Sequence, residues 1–129
     1  MKASMPVKTI LILGALMSVL AVASPVEERL AEYSKSGIST FDAARGENLW
    51  RLKQDERACT SCHGNDPAEV GKHVKTAKPI DPMAPSRNAE RFSDARKTAK
   101  WFKRNCKWTF GRECTAQEQA DILAWLGQQ

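Results

Sequence analysis

The sequence of 129 residues lacks the patterns on which many assignments of fold and function rest. It has no strand-like alternation of apolar and polar residues, which argues against a domain built on a sheet. It has no internal repeat, so a repeat architecture is not expected. Its basic residues are scattered and no aromatic platform lies among them, so composition gives no support for nucleic-acid binding. What remains is the expectation of one small, mainly helical domain.

Long apolar runs are also missing, apart from one near the N-terminus. Lys2 and Lys8 flank the start of an apolar stretch over residues 10–20, and residues 21–23 (Ala-Val-Ala) fit the small-residue rule for signal-peptide cleavage. The stretch is short for a membrane span, and an uncleaved anchor is the alternative. We predict a signal peptide over residues 1–23, export to the periplasm, and a mature domain over residues 24–129.

The segment Ala-Cys-Thr-Ser-Cys-His-Gly over residues 58–64 is the most informative one in the chain. Cys59 and Cys62 lie three residues apart, so a helical turn places both sulfurs on one face. They can then add to the two vinyl groups along one edge of a porphyrin, while His63 reaches the iron as the proximal ligand. Gly64 lets the chain turn away. The pattern predicts one covalently attached haem c, and therefore redox or gas chemistry.

The cysteines also allow a redox pair or a zinc site. A Cys-x-x-Cys pair can be a thioredoxin-like redox centre, but that requires a βαβ context, of which the sequence shows no sign. All four cysteines (Cys59, Cys62, Cys106 and Cys114) could bind zinc, but the second pair is too widely spaced for a common zinc knuckle. Export favours haem, because c-type haem is attached on the outer side of the bacterial inner membrane.

Helical periodicity predicts four helices around a long irregular middle. They lie over residues 26–34, from 39 or 40 to 54, from a Ser93 N-cap to about 105, and from Thr115 to Gly127. The last begins with a capping box formed by Thr115 and Glu118. Residues 64–92 are predicted to be loop. Gly46 and Trp50 lie on one face of the second helix and are expected to cross the last helix at Ile122 and Trp125, as in class I cytochromes c.

The second axial ligand is not settled by these patterns. The class I layout takes this ligand from the segment shortly before the last helix, and residues 103–114 contain neither Met nor His. They do contain Asn105, which is also suited to a helix C-cap. Met83 lies between prolines, a familiar setting for a thioether ligand, although such a Met is more often packed in a core. His73 is a further candidate, and the position could also be empty.

Cys106 and Cys114 enclose seven residues. In an oxidising compartment, two cysteines that do not hold haem are expected to pair. A bridge across so small a loop would stabilise the fold by about 2.5 kcal/mol in the chain-entropy model. It could be a structural staple, and it could also fix the position of Asn105, its neighbour in sequence.

The chain resembles a known family, most specifically over residues 101–126. The motif at residues 59–63, the run Trp-Phe-Lys-Arg-Asn-Cys-Lys-Trp over 101–108, Gly-Arg-Glu-Cys-Thr over 111–115 and Ala-Asp-Ile-Leu-Ala-Trp-Leu over 120–126 resemble the sphaeroides haem protein (SHP) family of bacterial cytochromes c. The resemblance covers most of the mature chain. It implies an all-α, class I cytochrome c fold in a single domain with covalent haem.

The resemblance also implies a site and a function. Asn105 would be the distal ligand, and Cys106 and Cys114 would form a disulfide near the haem. Members of the family release the asparagine on reduction and then bind oxygen or nitric oxide. They are thought to receive electrons from a dihaem cytochrome c, which a membrane cytochrome b supplies. These properties are what the resemblance implies, and nothing in the composition shows them.

Simple chemistry agrees with this implication. An amide oxygen is a hard, weak, neutral ligand that ferric iron tolerates better than ferrous iron. Trp101, Phe102 and Trp108, with Phe110, could keep the distal pocket apolar, and Arg104 or Lys107 could donate to a bound gas. An alternative function is a simple electron shuttle with Met83 as a permanent ligand. Nitric oxide dioxygenation or reduction of oxygen or peroxide is a third, although no distal His/Arg pair of the peroxidase kind is present.

The mature chain of 106 residues keeps 18 basic and 15 acidic residues, a net charge of +3, after Lys2 and Lys8 are removed. That mild excess fits docking to an acidic redox partner. Nothing in the sequence requires more than a monomer.

Overall fold

The computed structural model describes residues 21–129. Nearly all of the predicted signal peptide lies outside the described residues. Within them, no helix is both long and apolar enough to cross a membrane.

Five helices and one small hairpin make up the described chain. The helices are α1 (Pro25–Lys35), α2 (Ala43–Arg51), α3 (Thr60–His63), α4 (Ala95–Phe110) and α5 (Ala116–Leu126), and the strands are β1 (Gly71–Lys72) and β2 (Pro79–Ile80). The strands are antiparallel and pair Gly71 with Ile80. The fold is therefore all-α, as predicted, with a hairpin inside the segment expected to be loop.

Each of the four longer helices begins at a side-chain cap. Ser24 with Glu27, and Thr115 with Glu118, form complete capping boxes, so the predicted box at the last helix is confirmed. Asp42 and Asp94 cap α2 and α4 by accepting from the N–H groups three residues on. The predicted Ser93 cap is therefore one residue early.

Two predicted helix ends were wrong. Helix α2 stops at Arg51, not Gln54, because the chain turns back through Asp55 and Glu56, which have positive φ, and Gln54 and Arg57 exchange backbone hydrogen bonds. Helix α4 continues past Asn105 to Phe110 and ends at Gly111 in the left-handed conformation. Asn105 thus lies well inside a helix, which rules out a C-cap role.

The core is centred on the crossing of α2 and α5. A Cβ atom added to Gly46 would lie 2.0 Å from the carbonyl oxygen of Asp121, so only glycine allows this approach. The Trp50 and Trp125 rings pack beside it with centroids 5.7 Å apart, which confirms the predicted crossing. Leu123 and Leu126 are fully buried under α1.

A buried carboxylate also joins the two helices. Asp121 is fully buried and accepts hydrogen bonds from the Asp42 N–H, the Arg45 Nε and the Gln117 amide. Burial alone would raise the pKa of Asp121, but these donors together hold it below its ordinary value. The network fixes the start of α2 to α5, and α2 leads directly to the Cys-x-x-Cys-His segment.

Candidate haem-binding site

Helix α3 is a single turn that presents the two cysteines and the histidine. Cys59 forms its N-cap, and its carbonyl accepts from the N–H groups of Cys62 and His63 at 3.3 and 3.1 Å. Gly64, with φ +72°, ends the turn. The local hydrogen bonds hold Cys59, Cys62 and His63 in the compact arrangement that the motif requires.

The hairpin supports this turn from behind. A Cβ atom on Gly71 would lie 2.4 Å from the carbonyl oxygen of Cys62 and 3.0 Å from the Cα of His63. Residue 71 must therefore be glycine for β1 to lie against α3. Sequence reasoning missed this residue, because a lone glycine in an apparent loop carries no pattern that would reveal the contact.

The two cysteines of the motif are free thiols, each partly buried. Burial raises the pKa of Cys59 to about 11. A thioredoxin-like nucleophile needs a lowered thiol pKa, so the structure does not favour that interpretation. Cys106 and Cys114 are joined in a disulfide, and no cluster of three or more His, Cys, Asp or Glu residues within 21–129 could hold a metal ion. Cys106 and Cys114 are therefore not available as zinc ligands, and the structure does not favour a zinc site.

His63 is largely buried against the core. Its ring centroid lies 5.1 Å from that of Trp50. Burial, with a smaller contribution from nearby Arg91, lowers the pKa of His63 to about 4. The imidazole is thus neutral at physiological pH, which is the form that ligates a metal.

These residues fit a covalent haem. One helical turn carries two unpaired thiols three residues apart, followed by a neutral imidazole. The close contact at Gly71 fixes this turn against the hairpin. Cys59 and Cys62 would hold the porphyrin, and His63 would be the proximal ligand.

Helix α4 approaches this turn with one particular face. The Thr109 side chain lies beside the Cys59 thiol and acts to lower its pKa, against the larger effect of burial. Asn105 lies four residues earlier, one turn or about 6 Å along the same face. Trp101 lies one further turn away. The contact between Thr109 and Cys59 therefore places the face that carries Asn105 towards the haem-attachment turn.

The disulfide anchors the adjoining face of α4. Cys106 and Cys114 have Cα atoms 5.6 Å apart, and both are buried with Phe110 and part of Phe102. Cys106 is next to Asn105, so the bridge ties the helix to the start of α5 at the level of the exposed amide.

The other residues predicted to line the distal pocket take different positions. Trp101 is 45% exposed and carries the Arg104 guanidinium 4.9 Å from its ring centroid. Phe102 contacts both core clusters. Trp108 lies under Arg57, which also donates a hydrogen bond to its carbonyl at 3.0 Å.

Two residues considered for the distal pocket are engaged elsewhere. Phe110 is buried in the disulfide cluster. Lys107 forms an ion pair with Glu113 at 3.1 Å. Thr109, which sequence reasoning missed, is a residue of α4 that lies beside the attachment turn.

The two rival ligands, Met83 and His73, make contacts of their own. The Met83 N–H donates to the carbonyl of Pro67 at 2.8 Å, and its side chain packs against the core cluster that contains Trp50. His73 is exposed in the hairpin, and its Nδ1 accepts from the N–H groups of Lys75 and Thr76. The Met83 side chain thus packs against the core, and the Nδ1 atom of His73 accepts hydrogen bonds within its own turn.

Comparison with known proteins agrees with this geometry. A family model described as "Domain of unknown function (DUF1924)" matches residues 36–126. The chain is 39% identical over 126 residues to the cytochrome c-type protein SHP of Cereibacter sphaeroides, across 92% of this chain and 97% of that protein. It is 44% identical over 71 residues to cytochrome c'' of Methylophilus methylotrophus, across 55% of this chain and 49% of that one.

Solved structures give the same relationship. The structure of oxidised SHP, described as an oxygen-binding cytochrome c, matches with a TM-score of 0.74 at 38% identity, over 84% of this chain and 100% of that one. Oxidised cytochrome c'' from Methylophilus methylotrophus matches with a TM-score of 0.71 at 32% identity, over 81% and 94%. The chain therefore belongs to the SHP family of c-type cytochromes and carries a single covalently attached haem.

Proposed function

We propose that this cytochrome binds a diatomic gas, oxygen or nitric oxide, at its ferrous haem, and that Asn105 is a labile distal ligand of the ferric form. The relative SHP is described as an oxygen-binding cytochrome c. The haem supplies an iron centre that changes by one electron and, when reduced, can bind such gases.

One observation carries the proposal. Thr109 contacts the Cys59 thiol, and Asn105 lies on the same face of α4 one turn earlier. Asn105 is the side chain on this face with an amide oxygen, and no methionine or histidine lies within α4. A hard, neutral oxygen donor suits ferric iron better than ferrous iron, so it is a ligand that reduction would release.

The surroundings of Asn105 support a controlled release. The disulfide at Cys106 limits the movement of α4, while the side chain of Asn105 is exposed. Trp101 and Thr109 flank it one turn on either side. The amide can therefore change its position without disturbing the buried face of the helix.

The partner and the location belong to the same proposal. The predicted signal peptide over residues 1–23 and the disulfide both suit the periplasm. There the protein would act as a monomer that exchanges electrons with a partner cytochrome, either a dihaem cytochrome c or a membrane cytochrome b.

Substitution of Asn105 tests the ligand assignment. We expect Asn105→Ala to change the ferric absorption and electron paramagnetic resonance spectra, because the distal donor is lost. Met83→Leu is the matched control, and we expect it to leave both spectra unchanged. An unchanged ferric spectrum in Asn105→Ala, or loss of a low-spin signal in Met83→Leu, would refute the assignment.

A further inference from the structure

Helix α4 has an unusual distribution of charge. Its 16 residues contain six basic side chains and no acidic one: Arg96, Lys97, Lys100, Lys103, Arg104 and Lys107. All six are exposed. Six of the 18 basic residues of the mature chain, which look scattered in the sequence, therefore lie on one helix.

The helical period gathers these cations on one side. At 100° per residue they fall within an arc of about 120°, from Lys103 to Lys97. Thr109 lies on the opposite side of the helix, which approaches Cys59. Trp101 and then Asn105 lie between the Lys97 edge of the arc and Thr109. Together the six cations form the α4 basic face, a strip about 16 Å long that borders the side carrying Trp101 and Asn105.

Little negative charge neutralises this face. Lys103 and Lys107 share Glu113 at 3.4 and 3.1 Å. In the part of the chain that the structure describes, Arg96, Lys97, Lys100 and Arg104 have no carboxylate within 4.0 Å. Four cations on one helix repel one another, a cost that an acidic partner would relieve.

An aromatic side chain borders the cations. Trp101 is 45% exposed, and the Arg104 guanidinium lies over its ring at 4.9 Å. Tryptophan and arginine are the side chains that most often dominate the energy of a protein interface. Trp101 therefore offers an apolar contact for a partner, beside positive charges that can steer the partner as it approaches.

We propose that the α4 basic face, with Trp101 at its edge, is the docking surface for an acidic protein, the electron-exchange partner of the proposed function. Charge complementarity would speed the encounter and orient the partner towards the edge of α4 on which Trp101 and Asn105 lie. The proposal rests on the proposed function only in calling the partner an electron-exchange protein. The docking surface itself follows from the charges.

An anionic membrane is the less suitable occupant. A helix that lies in a bilayer interface needs a broad apolar face to insert. On α4 the buried apolar residues, Cys106 and Phe110, face the protein core, and Trp101 is the large exposed apolar side chain of the helix. A cationic face without an insertable apolar face fits a protein surface better than a lipid one.

Titration calorimetry of the oxidised holoprotein with poly-L-glutamate at low salt tests the surface. The α4 variant is Arg96→Gln/Lys97→Gln/Lys100→Gln. The matched control is Lys72→Gln/Lys75→Gln/Lys78→Gln on the exposed hairpin, which removes the same three charges. We expect at least tenfold weaker binding for the α4 variant and at most threefold for the control. Equal losses would overturn the proposal, because they would report net charge alone.

Two further measurements sharpen the test. Carbodiimide coupling of poly-L-glutamate, read by mass spectrometry, is expected to modify Lys97 and Lys100 before the hairpin lysines, and the reverse order would contradict the proposal.

Cosedimentation with vesicles of three parts phosphatidylcholine to one part phosphatidylglycerol is expected to retain little protein. Strong retention that the α4 variant abolishes would overturn the choice of a protein partner. The spectra of the α4 variant should equal those of the unmodified protein, so a failure of docking is distinguishable from a failure of gas binding.

Discussion

Helices α2 and α5 touch through their backbones, whereas α4 meets the haem-attachment turn through side chains. At the first contact, Gly46 admits the carbonyl of Asp121, and Trp50, Trp125 and Leu123 fill the core around it. At the second, the hydroxyl of Thr109 lies beside the Cys59 thiol.

This difference separates two roles within one small domain. The α2–α5 crossing is stabilised by close packing and a buried carboxylate, so it can hold His63 and Trp50 in one position. Helix α4 is anchored by a disulfide on one side and exposes Trp101 and Asn105 on another. The proximal side is rigid by packing, and the side that we propose to be distal is held by a covalent link next to an exposed polar residue.

The largest expected effect breaks the rigid region. Gly46→Ala places a Cβ atom 2.0 Å from a backbone carbonyl oxygen, and neither helix can move away without opening the core. We expect the free energy of unfolding to fall by about 3 kcal/mol, measured by chemical denaturation of the holoprotein. Asn48→Ala, at an exposed position of the same helix, should change it by less than about 0.5 kcal/mol. Equal effects of the two would show that the close approach does not matter.

A smaller effect is expected in the region of α4. Replacing Cys106 and Cys114 together by Ser removes the bridge across a short loop and should cost about 2.5 kcal/mol. Because Asn105 is next to the bridge, the ferric spectrum should change as well. The Trp50–Trp125 pair should keep its near-ultraviolet circular dichroism. A loss of stability without any spectral change would make the disulfide a structural staple alone.

The smallest effect is a pH dependence at the link between α4 and α5. Hydrogen bonds from Arg112, at 2.7 and 2.8 Å, lower the pKa of Glu118 to about 2 from an ordinary value of 4.5, with help from the Thr115 N–H. Since the folded pKa is the lower one, this stabilisation is complete above pH 4.5 and is lost as the pH falls towards 2. After allowance for solvent screening we expect about 1 kcal/mol.

Arg112→Gln is the comparison for that prediction. The difference in unfolding free energy between the two proteins should be present at pH 6 and disappear near pH 2. A difference that stays constant across this range would mean that the pair does not act through the charge of Glu118.

The helices and the crossing were predictable from the sequence because their signals are local. A capping box at Thr115, apolar periodicity in α5 and the Gly46/Trp50 spacing each depend on a few neighbouring residues. The Cys-x-x-Cys-His motif is equally local. These are the parts of the fold that short-range chemistry determines.

The remaining features depend on contacts between distant segments. Helix α4 extends beyond Asn105 because Cys106, Thr109 and Phe110 bury one of its faces, which the sequence does not reveal. Gly71 and Thr109 become part of the site only when the hairpin and α4 reach α3. The concentration of charge on α4 likewise appears only when the helix is long enough to align its six cations.

The most direct test of a labile distal ligand is the addition of carbon monoxide to the reduced holoprotein, followed by stopped-flow absorption. The account predicts binding whose observed rate rises in proportion to the gas concentration, because reduction has released Asn105. An unreactive low-spin ferrous spectrum, or a slow rate independent of gas concentration, would show a retained ligand and contradict it.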